Sequence, residues 1–219
     1  MNNSISCFFV TFLVSTTMLT YQGFCQTDQE GKTFKTKKIG NQEWMAENLN
    51  VSHYRNGDPI SQVQDKNEWS KLTTGAWCYY ENNSEYGKIY GKLYNWYAVN
   101  DLRGLAPEGW HIPSDAEWTQ LIDYLGGEKV AGDKLKATTL WEIPNSGATN
   151  SSGFSAFPGG SRSLSGGVDG IGKIGCFWSS SEGDYSNAWD RSMSYYYSDV
   201  YRNYPKGKIN GFSCRCVRD

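Results

Sequence analysis

The sequence predicts an α+β domain of two helices, short antiparallel strands and long loops. Three observations predict it. A helix start is written into residues 109–118, and a run of alternating strand formers broken by turns lies near the C-terminal end. The third is an unusual supply of rings, nine Trp, fifteen Tyr and nine Phe, where little leucine-rich helical pattern exists to build a core. Rings must then fill the space between loops and short strands.

Taken in order, residues 26–38 are polar, with four lysines and Gly31, and are expected to be a linker ahead of a single domain at 39–219. Residues 44–51 and 75–80 read as early strands. Tyr90, Leu93, Tyr94 and Tyr97 repeat at helical spacing and place a first helix over 90–100. Ser114 followed by Glu117 is a capping box that opens a second helix over 115–125. Trp118, Leu121, Ile122 and Leu125 give that helix one apolar stripe, and Gly126-Gly127 ends it. Residues 134–175 are rich in Gly and Ser and read as irregular, ligand-facing loops. Residues 189–197, 200–204 and 212–218 read as an antiparallel meander turned at Ser198-Asp199 and at 206–211.

A formal charge of -2 without a basic run argues against a nucleic-acid partner. Residues 1–27 carry no charged side chain, and an apolar stretch over 7–21 precedes Gly23-Phe24-Cys25. This is read as a signal peptide, residues 1–25, cut before Gln26, with an uncleaved anchor as the alternative. The mature chain is then secreted or held at the cell surface, without stable membrane insertion. Cys78, Cys176, Cys214 and Cys216 remain, an even number in an exported chain, and are expected to form disulfides. The pairing expected is Cys78 with Cys216 and Cys176 with Cys214. Zinc would need clustered ligands, which Cys214 and Cys216 with two distant histidines do not supply.

Seven motifs in sequence order carry a resemblance. They are residues 44–50 (WMAENLN), 90–99 (YGKLYNWYAV), 109–113 (GWHIP) with Glu117-Trp118, 147–150 (GATN), 157–160 (FPGG), 177–180 (FWSS) and 211–217 (GFSCRCV). Together they resemble the Fibrobacter succinogenes major paralogous domain family over residues 39–219. The resemblance implies an exported bacterial protein, often a lipoprotein or part of a larger surface protein, and supplies no activity. More distantly the order is similar to the formylglycine-generating enzyme superfamily, which implies a C-type-lectin-like fold.

That superfamily binds copper through a closely spaced cysteine pair between the Gly-Gly-Ser turn and the last strand. Residues 161–176 hold Cys176 alone, which argues against a copper oxidase. Hydrolysis needs a nucleophile with a base or two placed carboxylates. His53 and His111 read as structural, Asp115 and Glu117 as carboxylates favoured at a helix start, and Ser179 to Ser181 as no nucleophile. Glu182, Asp184 and Asn187 offer calcium-type oxygens but match no calcium loop, and read as a solvated acidic loop. No catalytic residue, metal or cofactor is therefore assigned.

Tyr195, Tyr196, Tyr197, Tyr201 and Tyr204 gather in the last hairpin with Arg191 and Arg202. Strand alternation puts Trp189, Arg191, Met193, Tyr195 and Tyr197 on one side and Tyr196 on the other. Tyr196, Tyr201, Arg202 and Tyr204 are the candidate ligand contacts. The function expected is a non-enzymatic binding module for glycan or protein, the alternatives being an enzyme of the formylglycine-generating type and a purely structural envelope module.

Overall fold

A computed structural model describes residues 26–202 and 204–219; the expected signal peptide lies outside the described residues. Among the described residues the architecture is α+β, with five short helices and three sheets. In one sheet the strands Thr36–Ile39, Gln42–Met45, Val217–Arg218 and Trp110–His111 lie side by side in that order, so the two ends of the domain pair with each other. A six-stranded sheet is centred on the long strands Ile174–Glu182 and Asn187–Ser194. A three-stranded sheet joins Ser61–Gln62, Ala76–Cys78 and Leu93–Tyr94.

Residues 211–217 thread between all three. Gly211 bridges Arg162, Phe212 bridges Tyr94, Ser213 bridges Phe177, and Val217 pairs with both Trp44 and His111. The segment expected to be one regular strand is instead a seam, with a ladder only at Val217–Arg218. Rings fill the core around it. Trp44, Trp118, Phe154 and Phe177 form a fully buried cluster with centroids 5.0 to 6.2 Å apart.

The capped helix forms as its local code predicts, over Asp115–Tyr124. The Ser114 amide donates to the Glu117 carboxylate at 2.8 Å, and the Glu117 amide donates to the Ser114 hydroxyl oxygen at 3.2 Å. The helix expected over 90–100 does not form. Ser84–Tyr90 is helical, Leu93–Tyr94 is a strand, and Trp96–Val99 is a single turn capped by Asn95. The break is at Gly91, whose φ of +76° suits glycine and where a Cβ would lie 2.7 Å from the Leu49 carbonyl. Tyr90, Leu93 and Tyr94 are all buried, so their apolar spacing records burial and not helical period. The helix Glu128–Leu135 and the hairpin of Gly159–Arg162 with Val168–Ile171 were not anticipated.

Residues 26–38 are no free tether. The Phe34 ring stands edge-on to Trp110 at 5.3 Å, the Ala46 amide donates to the Lys35 carbonyl, and pairing with the next strand begins at Thr36. One half-buried ring and a hairpin hold a stretch whose composition looks solvated.

The expected disulfides are absent: Cys78, Cys176, Cys214 and Cys216 are free and buried. Cys78 belongs to a different core cluster from Cys216. The bridge of Phe177 to Ser213 sets the register for the second pair, placing Cys176 beside Phe212 and Cys214 beside Trp178, and the rings of Trp178 and Phe212 stack 4.4 Å apart. The thiols are therefore offset along the strands, neither one opposite the other in this register.

What pins the loops is buried positive charge. The Arg215 guanidinium donates to Asn48 Oδ1 at 2.7 Å, to the carbonyls of Met45 and Ser155, and to that of Phe154, whose ring it also covers. Arg162 donates to the carbonyls of Val63, Gln64 and Gly166 and stacks on Trp69. Irregular backbone buried away from water needs donors, and a guanidinium brings five.

Candidate functional site

The tyrosine face begins where the strand Asn187–Ser194 ends. Arg191 and Met193 point inward and are buried, while the ladder slips between Ala188 and Asp190. That slip releases Trp189, which stays half-buried. The strand stops at Ser194, so the alternation expected through Tyr197 does not apply, and Tyr195 to Tyr197 lie on a bend.

Three turn residues and one strand residue make a chain of edge-on rings. Centroids are 6.0 Å apart for Tyr195 and Tyr196, 5.1 Å for Tyr196 and Tyr197, and 6.2 Å for Tyr197 and Tyr201. Tyr196 and Tyr197 are 56% and 52% exposed, and Tyr195 and Tyr201 half-buried behind them. Tyr204 is exposed but stands outside this chain of contacts among the described residues.

The backbone beneath the rings is fixed from two directions. Lys136 follows the helix Glu128–Leu135, and its buried ammonium donates to the carbonyls of Tyr197 at 2.7 Å, Ser146 at 2.8 Å and Ser194 at 3.2 Å. Burial pushes the Lys136 pKa below its ordinary value, with Asp133 opposing. The Tyr195 amide donates to the Lys173 carbonyl, and the Ser146 amide to the Tyr195 carbonyl.

Arg202 is already paired within the protein. Its Nε and Nη2 donate to the Asp115 carboxylate at 3.0 and 2.8 Å, and its guanidinium lies 3.6 Å over the Trp189 ring. The same carboxylate accepts from Arg191 Nη1 at 2.7 Å. Burial opposes charge on Asp115, but the two guanidiniums outweigh it and hold the carboxyl below its ordinary range. Asp115 thus ties the first turn of the capped helix to the tyrosine hairpin. Sequence reasoning placed it only as a helix-start acid.

The other sequence candidates lie apart. Glu182 is paired with Lys208, and Asp184 accepts from the amides of Ser186 and Asn187 in a local turn. His111 is held between Asp219 and Glu117, at 2.6 and 2.8 Å. Ser179 is buried. Among the described residues no three His, Cys, Asp or Glu gather as a metal site.

The profile described as Fibrobacter succinogenes major domain matches residues 38–218. The chain belongs to this family. Neither curated proteins nor solved structures give a match. In this Fibrobacter succinogenes major domain, the motifs that carry the resemblance supply scaffold: Trp44, Tyr94, Trp118, Phe177, Trp178 and Arg215 are all buried. The tyrosine turn lies outside those motifs.

Proposed function

We propose that the domain is a non-enzymatic binding module, exported to the cell surface or beyond, whose tyrosine turn takes a carbohydrate chain. The observation that carries this reading is the combination of two half-exposed rings, Tyr196 and Tyr197, with a backbone fixed by a buried ammonium beneath them. Aromatic rings on a preorganised surface lose little entropy on binding, and tyrosine adds a hydroxyl that pairs with sugar hydroxyls. The four thiols support a non-catalytic role, since each is buried and raised in pKa and so poorly suited to attack or to bind copper. The uncharged N-terminal stretch supports export. Pairing of the last strand with Gln42–Met45, which brings the two ends of the domain into one sheet, supports a C-type-lectin-like arrangement.

Affinity electrophoresis through gels containing soluble polysaccharides tests the reading. At least one polysaccharide is expected to retard the protein. Tyr196→Ala and Tyr197→Ala should each weaken that capture about fivefold to thirtyfold, roughly 1–2 kcal/mol, with little change in Tm. Equal loss of capture and Tm would mean that the rings pack and do not recognise. Retardation by none of the polysaccharides would leave the structural-module alternative standing in its place.

A further inference from the structure

A cavity of about 110 Å³ opens on the flank of the helix Asp115–Tyr124 that faces away from Arg202 and the tyrosine turn. It lies against the two-residue turn Gly40-Asn41 between the first two strands, and is lined by Ile39, Gly40, Asn41, Gln42, Gln120 and Tyr124. Its space is on the order of ten times what one water needs. None of these six side chains is charged at neutral pH.

The pocket is built, not incidental. Gln42 is fixed at both ends of its amide, donating to the Glu117 carbonyl at 3.1 Å and accepting from Trp44 Nε1 at 3.3 Å. Each end keeps further hydrogen-bonding capacity. Gln120 and Tyr124, one helical turn apart, face the same side. Tyr124 is 66% exposed, yet its ring is seated on Gly40, where a Cβ would come within 3.0 Å of Cδ2. Gly40 has a φ of +60° and stands first in its turn, the place a type II′ hairpin turn reserves for glycine.

We propose that this pocket is a separate binding site for a single neutral sugar ring. A sugar hydroxyl donates and accepts, as does each of the three amides, and a phenol ring offers a flat wall to the C–H face of a pyranose. A charged ligand would surrender hydration without meeting an opposite charge, and a purely apolar one would leave the amides unpaired. The site does not depend on the tyrosine turn and stands or falls apart from it.

Saturation-transfer NMR on the full chain tests the site, with the methyl glycosides of glucose, galactose, mannose and N-acetylglucosamine as probes. Transfer to the ring protons of at least one glycoside is expected. In a Tyr196→Ala/Tyr197→Ala background, which removes the tyrosine turn's own contacts, it should persist, and adding Tyr124→Ala or Gln120→Ala, both solvent-facing changes, should abolish it. Transfer from none of the four, or transfer surviving Tyr124→Ala in that background, overturns the proposal. Transfer already lost in the Tyr196→Ala/Tyr197→Ala background assigns the signal to the tyrosine turn and overturns it equally, and with methyl glucuronate as a fifth, charged probe, a response to that probe alone refutes the neutral specificity.

Discussion

The Lys136 ammonium is buried directly beneath Tyr197, donating to its carbonyl at 2.7 Å while the tyrosine ring stays half in solvent. A charge that sequence would assign to the surface is thus the support for the exposed tyrosine turn. Arg162 and Arg215 serve the same purpose elsewhere, spending their donors on carbonyls of segments that no ladder satisfies. With no cross-link among the described residues of this loop-rich fold, positive side chains on rings and carbonyls take over the pinning.

Lys136→Met should therefore act on stability and recognition together. Three part-buried carbonyls lose their donor, and since a fully buried unmet group costs about 1–3 kcal/mol, a loss of about 2 kcal/mol in all is expected. Polysaccharide capture should fall too, although Lys136 is buried out of a ligand's reach. Urea unfolding and affinity electrophoresis read the two effects. Undiminished capture by a folded Lys136→Met variant would show that the platform does not need this support.

Asp115 and Arg202 should differ sharply in cost despite sharing an ion pair. Removing the carboxylate in Asp115→Ala strands the guanidinium of Arg191, whose side chain is 1% exposed, and about 3 kcal/mol or more should be lost. Arg202→Ala removes a partner that is a third exposed, and under ~1 kcal/mol is expected. Equal midpoints in denaturant for the two variants would refute the assignment of Arg191 as the dependent charge.

What the sequence made legible was local. Ser114 and Glu117 stand three residues apart, so the capped helix could be read without knowing the fold. The tyrosine cluster was visible for the same reason. The misread helix over 90–100 failed because residues buried from several sides imitate helical period, and Gly91 within the pattern was the available warning. Arg202 could not be placed, since its partner Asp115 is 87 residues away. Nor could Lys136, whose carbonyl partners come from two separate loops. Arg215, between two cysteines in a closing apolar run, did carry a signal of burial that went unused.

His111 gives the domain a pH signature. Burial of the ring opposes its charge, but hydrogen bonds to Asp219 and Glu117 outweigh burial and raise its pKa above the ordinary 6.5. Its stabilisation is then complete below 6.5 and is lost as pH rises through the raised value. Burial also opposes the Glu117 charge, but the Ser114 amide and hydroxyl and His111 outweigh it, so its pKa sits below the ordinary 4.5 and its contribution fades as pH falls through that lowered value. The clasp is strongest between about 4.5 and 6.5. Across a pH series of thermal melts, the Tm advantage of the native chain over His111→Gln should shrink on the alkaline side. A constant difference would disconnect the clasp from histidine charge.

The four buried thiols yield the sharpest chemical test of the fold. Burial raises the pKa of each, to about 12 for Cys216, so little reactive thiolate forms at neutral pH and no reagent reaches it in the folded state. Without reductant, iodoacetamide should leave Cys78, Cys176, Cys214 and Cys216 unmodified in native protein and alkylate all four after unfolding in guanidinium, as read by peptide mass spectrometry. Dithiothreitol should leave Tm unchanged. The register at the bridge of Phe177 to Ser213 is the reason, because it sets Cys176 beside Phe212 and Cys214 beside Trp178, whose rings are themselves in contact. A cross-linked peptide containing Cys176 and Cys214 would require that ring pair to be displaced and would overturn the packing of the seam.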